Sequence, residues 1–206
     1  MTAREVVLER VSQAVAGASP APVSRRYAVE GSAAHEHVVE AFVERVRDYR
    51  ATVVRTDDAA AAAAADVVRE QGALRIGIAP DLDARLRPAG VELVQDEALS
   101  PQQLDELDGA LTTCAAACAI TGTIALDGGP GQGRRALTLL PDLHICVVRE
   151  DQIVETVPEL VRRLEGAATE GRPLVLVSGP SATSDIELER VEGVHGPRRL
   201  VVTVER

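Results

Sequence analysis

Short apolar strands alternate with amphipathic helices along most of this chain, and this alternation restricts the fold more than any other feature. The predicted strands, rich in Val, Ile and Leu, are residues 51–55, 74–78, 91–94, 121–126, 144–148, 174–177 and 200–204. Helices are predicted between them, at residues 34–50, from the Ala run at 59–65 up to Gly72, and at residues 156–164 and 184–191 among others. Such alternation is typical of a mainly parallel sheet with helices on both faces. We therefore predict a three-layer α/β fold.

A separate helix is predicted at residues 3–16, ahead of the α/β region. Thr2 and Glu5 form a capping box, and apolar residues then recur at helical spacing. Residues 17–32 are rich in Ala, Pro and Ser, which is typical of a linker. The predicted division is an N-terminal helix and linker at residues 1–32 and an α/β domain at residues 33–206.

The composition indicates a core of aliphatic side chains and no membrane segment. The chain is 46% hydrophobic, but its only aromatic residues are Tyr27, Phe42 and Tyr49. No apolar run approaches the roughly 20 residues that a membrane helix needs. Arg4 and Glu5 place charges where a signal peptide would have its apolar stretch. We expect a cytoplasmic protein that does not insert into membranes.

Charge and residue usage exclude several classes of function. A net charge of −10 argues against nucleic acid as a ligand, because phosphate binding depends on clustered positive charge. All 22 basic residues are Arg, so the chain has neither a Schiff-base lysine for pyridoxal phosphate nor a P-loop lysine.

The cysteines do not form a recognisable metal-binding pattern. Cys114, Cys118 and Cys146 are too few for a four-thiolate iron–sulfur cluster, and no C-x-x-C motif occurs. A structural zinc site would need a histidine at an unrecognisable spacing. We expect no metal and no cofactor within this chain, and we expect the three thiols to be buried as small hydrophobic groups.

A glycine-rich loop, residues 127–135 (D-G-G-P-G-Q-G-R-R), follows the strand at 121–126. Its glycines allow positive φ and a close approach of the backbone, so that N–H groups can converge on an anion. Arg134 and Arg135 can clamp a carboxylate or a phosphate. The spacing matches neither the dinucleotide fingerprint nor a Walker loop, so a plain turn followed by two surface arginines is an equal alternative.

A second candidate loop, residues 178–187 (S-G-P-S-A-T-S-D-I-E), runs into a predicted helix N-terminus, where free N–H groups favour anions. Ser184 and Glu187 can instead form a capping box there. The hydroxyls of the T-G-T motif at residues 121–123 suit the oxygens of an acid, although Thr also favours strands. His144 is more readily explained as a core histidine, and His195 lies in a turn without an assigned role.

The candidate ligand-binding residues are thus Thr121, Gly122, Thr123, Gly128, Gly129, Gly131, Gln132, Gly133, Arg134, Arg135, His144, Ser178, Gly179, Ser181, Thr183 and His195. Because loops that follow parallel strands meet at one sheet edge, we expect the two loops to lie side by side. Adjacent residues of an extended segment point to opposite sides, so only one of the two arginines should face the glycine loop. These patterns identify no catalytic residue.

Three motifs resemble the lactate-utilisation C family, also called the LUD domain. They are T-G-T-I-A-L-D-G-G-P-G-Q-G-R-R-A-L-T-L-L-P-D-L-H at residues 121–144, S-G-P-S-A-T-S-D-I-E at 178–187 and V-E-G-V-H-G-P-R at 191–198. The resemblance extends over about residues 109–204. It implies a fold similar to the NagB/RpiA/CoA-transferase group and a role in oxidising L-lactate to pyruvate, beside partner subunits that carry iron–sulfur clusters. The family usually has Glu immediately before T-G-T, where this chain has Ile120.

The resemblance leads to two hypotheses. In the first, the chain is an auxiliary subunit of an L-lactate-oxidising system and holds a small carboxylate or phosphate-bearing ligand in the glycine loop. In the alternative, it is a stand-alone enzyme similar to 5-formyltetrahydrofolate cyclo-ligase and binds the phosphates of ATP there. The absence of Lys weakens the alternative, because Arg alone would have to neutralise a triphosphate. If the Glu is a catalytic base in relatives, Ile120 removes it here.

Overall fold

A computed structural model describes residues 2–19, 22–24, 26–57, 59–181, 193 and 195–206. Its helices are α1 (Ala3–Val15), α2 (His35–Asp48), α3 (Ala60–Glu70), α4 (Pro101–Asp105) and α5 (Val157–Thr169). Its strands are β1 (Thr52–Thr56), β2 (Arg75–Ile78), β3 (Glu92–Gln95), β4 (Gly109–Thr112), β5 (Ala116–Cys118), β6 (Thr123–Leu126), β7 (Leu143–Arg149), β8 (Ile153–Val154), β9 (Val175–Val177) and β10 (Arg199–Glu205). The helix predicted at residues 184–191 and the candidate Thr183 lie outside the described residues.

The main sheet has six parallel strands in the order β1-β10-β7-β4-β2-β3, which confirms the predicted α/β fold. Strand β7 shows how the two faces are built. Leu143, Ile145 and Val147 belong to the core cluster that contains α3. Cys146 and Val148 belong to the cluster that contains α2. Side chains alternate between the faces of a strand, so a strand buried on both sides is apolar at nearly every position.

A second sheet of four strands, in the order β8-β5-β6-β9, packs with α2 on one face of the main sheet. Helix α5 covers its outer face through Leu160 and Leu164. The segments predicted as strands at 121–126 and 174–177 belong to this sheet, and β6 runs antiparallel to both β5 and β9. Assigning them to parallel strands was wrong. The reversal occurs at Gly122, whose φ of +57° and N–H bond to the Ala119 carbonyl close a tight turn.

Strand β5 lies in an Ala-rich stretch whose sequence is also compatible with a helix. Its side chains are fully buried on both faces, between the core of α2 and helix α5. Small side chains let the second sheet approach the main sheet and α5 closely. Cys114, Cys118 and Cys146 are all free and buried, as predicted.

The N-terminal helix α1 begins with the predicted capping box of Thr2 and Glu5. None of its residues is buried. The chain joins the body at residues 29–33, where Arg162 donates to the Val29 carbonyl and Glu155 accepts from the Ala33 N–H. The domain boundary at residues 32 and 33 stays a prediction. Among the described residues, no helix has the length and apolar character needed to cross a bilayer.

Candidate functional site

The glycine loop binds its own polar groups. Asp127 Oδ1 accepts from the Gly129 N–H at 2.9 Å and from Gln132 Nε2 at 2.8 Å. In return, Gln132 Oε1 accepts from the Asp127 N–H at 2.8 Å. Arg172 Nη1 lies 3.0 Å from Asp127 Oδ2 and balances its charge. The Gln132 side chain thus spans the loop and holds it closed.

The loop is also fastened to the main sheet. Thr113 donates through its N–H to the Gly131 carbonyl at 3.1 Å and through its hydroxyl to the Pro130 carbonyl at 2.7 Å. The Gly131 N–H donates to Asp81 Oδ1 at 3.2 Å. The N–H groups of Gly129 and Gly131, which we expected to meet a bound anion, therefore already have carboxylates of this chain as acceptors. These two N–H groups do not point into an open anion-binding site. Binding of a ligand by the glycines themselves stays a prediction.

The two arginines that end the loop have different environments. Arg134 donates through Nε and Nη2 to the buried carboxylate of Asp96, at 2.8 Å each. It also bonds the Leu99 carbonyl. Arg135 instead donates to the carbonyl and hydroxyl oxygens of Thr138, at 3.1 and 3.0 Å, and to the His195 carbonyl at 3.3 Å. The two guanidinium groups therefore have different partners, although both arginines line one cavity together with Gly128 and Gly133. That only one of them faces the glycine loop stays a prediction.

Arg135 stands in a groove formed by two cavities of about 220 and 310 Å³, which share Arg135, Thr138 and Val175 as walls. We call this the Arg135 groove. It brings together the candidates Gly128, Gln132, Gly133, Arg134, Arg135, His144, Ser178, Gly179, Ser181 and His195.

Burial changes the acid–base properties of the groove. The pKa of Arg135 is lowered because the guanidinium is partly withdrawn from water. His144 is almost fully buried, and its Nε2 lies 2.8 Å from the Thr112 hydroxyl. Burial, and to a lesser extent the charge of Arg135, lowers the pKa of His144 to about 4. At neutral pH Arg135 is therefore charged, whereas the His144 imidazole beside it is neutral.

The T-G-T motif lies beside the groove and supports it. Thr123 Oγ1 is 2.8 Å from both Thr121 Oγ1 and Ser178 Oγ, so three hydroxyls form a short chain that ends at the groove wall. A Cβ on Gly122 would lie 2.9 Å from the backbone carbon of Arg45, at the end of α2. Gly122 therefore serves close packing against α2, and its contact with a ligand stays a prediction.

The two candidate loops do not follow strands at one sheet edge, so the reason for expecting them side by side was wrong. Leu126 pairs with Val175 and Ile124 with Val177, so the loops leave the antiparallel β6–β9 pair at opposite ends. They are instead linked through His195. Arg135 bonds the His195 carbonyl, and the Ser181 hydroxyl accepts from the His195 N–H at 3.1 Å.

Sequence reasoning missed the residues that position Arg135 and His144. Thr138 and Thr112 fix the guanidinium and the imidazole. Thr138 lies inside the motif at residues 121–144 but was not among the candidates, and Thr112 lies outside the motifs. Asp81, which holds Gly131, follows strand β2 closely, so the rule for carboxyl ends of strands could have indicated it. In the described part of the chain, no cluster of three or more His, Cys, Asp or Glu side chains could hold a metal.

Comparison with known proteins gives consistent matches. The LUD domain family model matches residues 39–204. Lactate utilization protein C of Deinococcus radiodurans is 46% identical over 200 residues, which cover 96% of this chain and 93% of that protein. Lactate utilization protein C of Halalkalibacterium halodurans is 33% identical over 102 residues, 48% of this chain and 44% of that protein.

A solved structure agrees with the fold. The crystal structure of a DUF162 family protein from Deinococcus radiodurans superposes with a TM-score of 0.73 at 40% sequence identity. The superposition covers 85% of this chain and 100% of that chain. With a family model matched from helix α2 to strand β10 and a relative aligned over nearly its whole length, this chain belongs to the LUD domain family.

Proposed function

We propose that this protein takes part in lactate utilisation as an auxiliary subunit of an L-lactate-oxidising system, in which it holds a small carboxylate in the Arg135 groove. The redox chemistry is assigned to partner subunits that carry iron–sulfur clusters, with no cofactor in this chain. The similarity to Lactate utilization protein C over 96% of the chain supports the role. The environment of Arg135 supports the class of ligand.

The hydrogen-bond partners of Arg135 are the main support for an anionic ligand. Its guanidinium donates only to carbonyl and hydroxyl oxygens, and within the described ranges it meets no carboxylate. A cation that is partly withdrawn from water loses hydration, and its lowered pKa reports this loss. An anion that enters the groove offsets the loss and forms charge-assisted hydrogen bonds with the guanidinium.

The size and polarity of the part of the groove beside His144 agree with a small acid. Its cavity beside His144 measures about 220 Å³, less than the roughly 300–1,000 Å³ of a pocket for a drug-sized molecule. The neutral imidazole and the Ser178 hydroxyl can hydrogen-bond a second oxygen without adding charge. This favours a carboxylic acid of a few carbons that also carries a hydroxyl or keto oxygen.

Titration of the purified chain with L-lactate, pyruvate and phosphate tests the site. We expect Arg135→Ala to weaken binding of the preferred acid by about ten- to a hundredfold. Arg69→Ala, on the exposed surface of α3, serves as the control and should bind like the wild type. Equal affinity in Arg135→Ala and wild type, or no binding of any of the three anions, would contradict the proposal.

The auxiliary role has its own test. Purified chain should not reduce an electron-acceptor dye with L-lactate, because the proposal places the redox groups on partner subunits. Addition of the chain to an iron–sulfur-containing partner fraction should raise the rate of lactate oxidation. Turnover of lactate by the isolated chain would contradict the auxiliary role.

The observations do not favour the cyclo-ligase alternative. Arg134 is neutralised by Asp96, which leaves Arg135 to face a triphosphate in the described groove. The relatives reported above carry lactate-utilisation names. Incubation with ATP and 5-formyltetrahydrofolate checks this reading, since any turnover would support the alternative.

A further inference from the structure

A further cavity, of about 390 Å³, borders a different part of the glycine loop. It lies at the carboxyl ends of two main-sheet strands, because Thr113 and Cys114 directly follow β4 and Arg149 ends β7. We call it the carboxyl-edge crevice. In open parallel sheets, ligands bind outside the carboxyl ends of the strands. The Arg135 groove, by contrast, lies near the start of β7 and β10, where His144 and Leu200 line it.

One wall of the crevice carries surplus positive charge. Arg149 donates through Nε and Nη2 to the carboxylate of Asp151, at 2.9 and 3.1 Å. Arg163 of α5 donates to the Asp151 carbonyl at 3.3 Å and, in the described part of the chain, has no ion-pair partner within 4.0 Å. The pKa of Asp151 is lowered chiefly by the hydrogen bond from Arg149 and further by the charge of Arg163. Two guanidinium groups thus share one carboxylate.

The wall beside the 3-10 turn Ala84–Leu86 carries an excess of negative charge. Arg85 donates to both oxygens of the buried Glu205, at 2.9 and 3.0 Å, and also to Asp83 at 3.2 Å. Asp81 accepts the Gly131 N–H through Oδ1, and no cation lies within 4.0 Å of it in the described ranges. This wall therefore has three carboxylates and one guanidinium, which bonds two of them.

The two groups are attached to different layers of the fold. Leu86 of the 3-10 turn belongs to the core cluster of α3 on one face of the main sheet, whereas α5 covers the second sheet beyond the other face. The crevice spans the edge between them, and Leu86, Cys114 and Val147 give it apolar surface. A polyanion would be repelled by Asp81 and Asp83, and a polycation by the arginines. A ligand with one charge of each sign is attracted to both walls.

We propose that the carboxyl-edge crevice binds a small zwitterion, an amino acid, with its carboxylate at Arg149 and Arg163 and its ammonium group at Asp81 and Asp83. This site is independent of the Arg135 groove and of the proposed role in lactate utilisation. α-Amino acids and ω-amino acids differ in the distance between their carboxylate and ammonium groups, and the experiment shows which class binds.

The test uses calorimetric titration of the full chain with L-alanine and 4-aminobutyrate, beside the single-charge analogues propionate and propylamine. We expect one of the amino acids to bind and both analogues to bind at least about tenfold more weakly. Arg163→Gln and Asp81→Asn should each lower the affinity of that amino acid by about tenfold or more. Both side chains belong to exposed residues, so the variants should fold, and circular dichroism checks that they do.

Two controls separate this site from its surroundings. Arg162→Gln changes the neighbouring arginine, which bonds the Val29 carbonyl instead of lining the crevice, and should leave amino-acid binding unchanged. Arg135→Ala should also leave it unchanged, so that failure of one proposed site is distinguishable from failure of the other. The proposal is overturned if neither amino acid binds at about 10 mM. It is also overturned if an analogue binds as well as the amino acid, or if Arg163→Gln and Arg162→Gln behave alike.

Discussion

Arg134 and Asp96 are joined by two parallel hydrogen bonds, Nε to Oδ2 and Nη2 to Oδ1, each 2.8 Å long. The Asp96 side chain is only 1% exposed, whereas that of Arg134 is 45% exposed. The pair fastens the end of the glycine loop to the residue that follows strand β3. Arg134 therefore serves the architecture, and its neighbour Arg135 is available to a ligand.

Replacement of Arg134 by Ala should destabilise the fold without changing anion affinity. It leaves a buried carboxylate without its cation, at a cost of about 1–3 kcal/mol in the free energy of unfolding. Hydrogen bonds from Arg134 lower the pKa of Asp96, although burial opposes them. The stabilisation is present above the ordinary pKa of 3.8 and is lost as the pH falls through the lower folded value. Urea unfolding at pH 7 and pH 3 measures this, and an equal difference from wild type at both would contradict it.

Acid should destabilise the wild type through His144 before the carboxylates titrate. The pKa of His144 is 6.5 in the unfolded chain and about 4 in the fold, so the unfolded state binds more protons between these values. Stability therefore falls as the pH is lowered from about 6.5 to about 4, by up to about 3 kcal/mol. His144→Gln should flatten this part of the profile, and His37→Gln on the exposed surface of α2 should not. A His144 ring signal that titrates near pH 6.5 in NMR would contradict the prediction.

Thr112→Val and Thr203→Val should have opposite effects on stability. Both residues are fully buried, but the Thr112 hydroxyl bonds His144, whereas Thr203 Oγ1 has no partner among the described residues. Loss of the first hydroxyl leaves the imidazole unsatisfied and should cost about 1–3 kcal/mol. Loss of the second removes an unsatisfied polar atom and should stabilise by about 1 kcal/mol. Thermal unfolding of the two variants measures the sign, and a destabilised Thr203→Val would contradict the second part.

Gly131→Ala should destabilise the protein more than Gly90→Ala. Both glycines have positive φ, +72° and +76°, so both substitutions incur backbone strain of about 1–2 kcal/mol. A Cβ on Gly131 would also lie 3.0 Å from Thr113 and 3.3 Å from Leu82, whereas Gly90 has no atom within 4 Å. The crowding should add about 1 kcal/mol or more. Equal free energies of unfolding for the two variants would show that the glycine loop does not need its close contact with Thr113.

The sequence predicts strands well where Val, Ile and Leu form short apolar runs. Strands β1, β2, β3, β7 and β10 lie within about one residue of their predicted bounds for this reason. Strands β4 and β5 could not be predicted, because Gly109, Ala110 and the Ala-rich segment after them have no strand preference of their own and are extended by their packing. Strands β6 and β9 were predicted as strands but not as antiparallel neighbours, because local pattern does not specify a pairing partner.

The sequence predicts many of the residues that line the site, but not the contacts between them. Glycines and arginines mark the loop, but no local pattern shows that the carboxylates of Asp127 and Asp81 accept hydrogen bonds from its N–H groups. The approach of Arg135 to His195 joins residues 60 positions apart and depends on the whole fold. The charge balance of the carboxyl-edge crevice depends likewise on side chains from several distant elements.

The position of Gln132 affects how mutations in this family should be interpreted. Its side chain is buried inside the glycine loop, yet it lines both the crevice and the Arg135 groove. A genetic screen will therefore recover loss-of-function alleles throughout residues 127–133, even where no side chain contacts a ligand. Such alleles change the wall that the two cavities share, so their effects cannot be assigned to one cavity. Alleles at Arg135 and at Arg163, on separate surfaces, are the ones that distinguish two phenotypes.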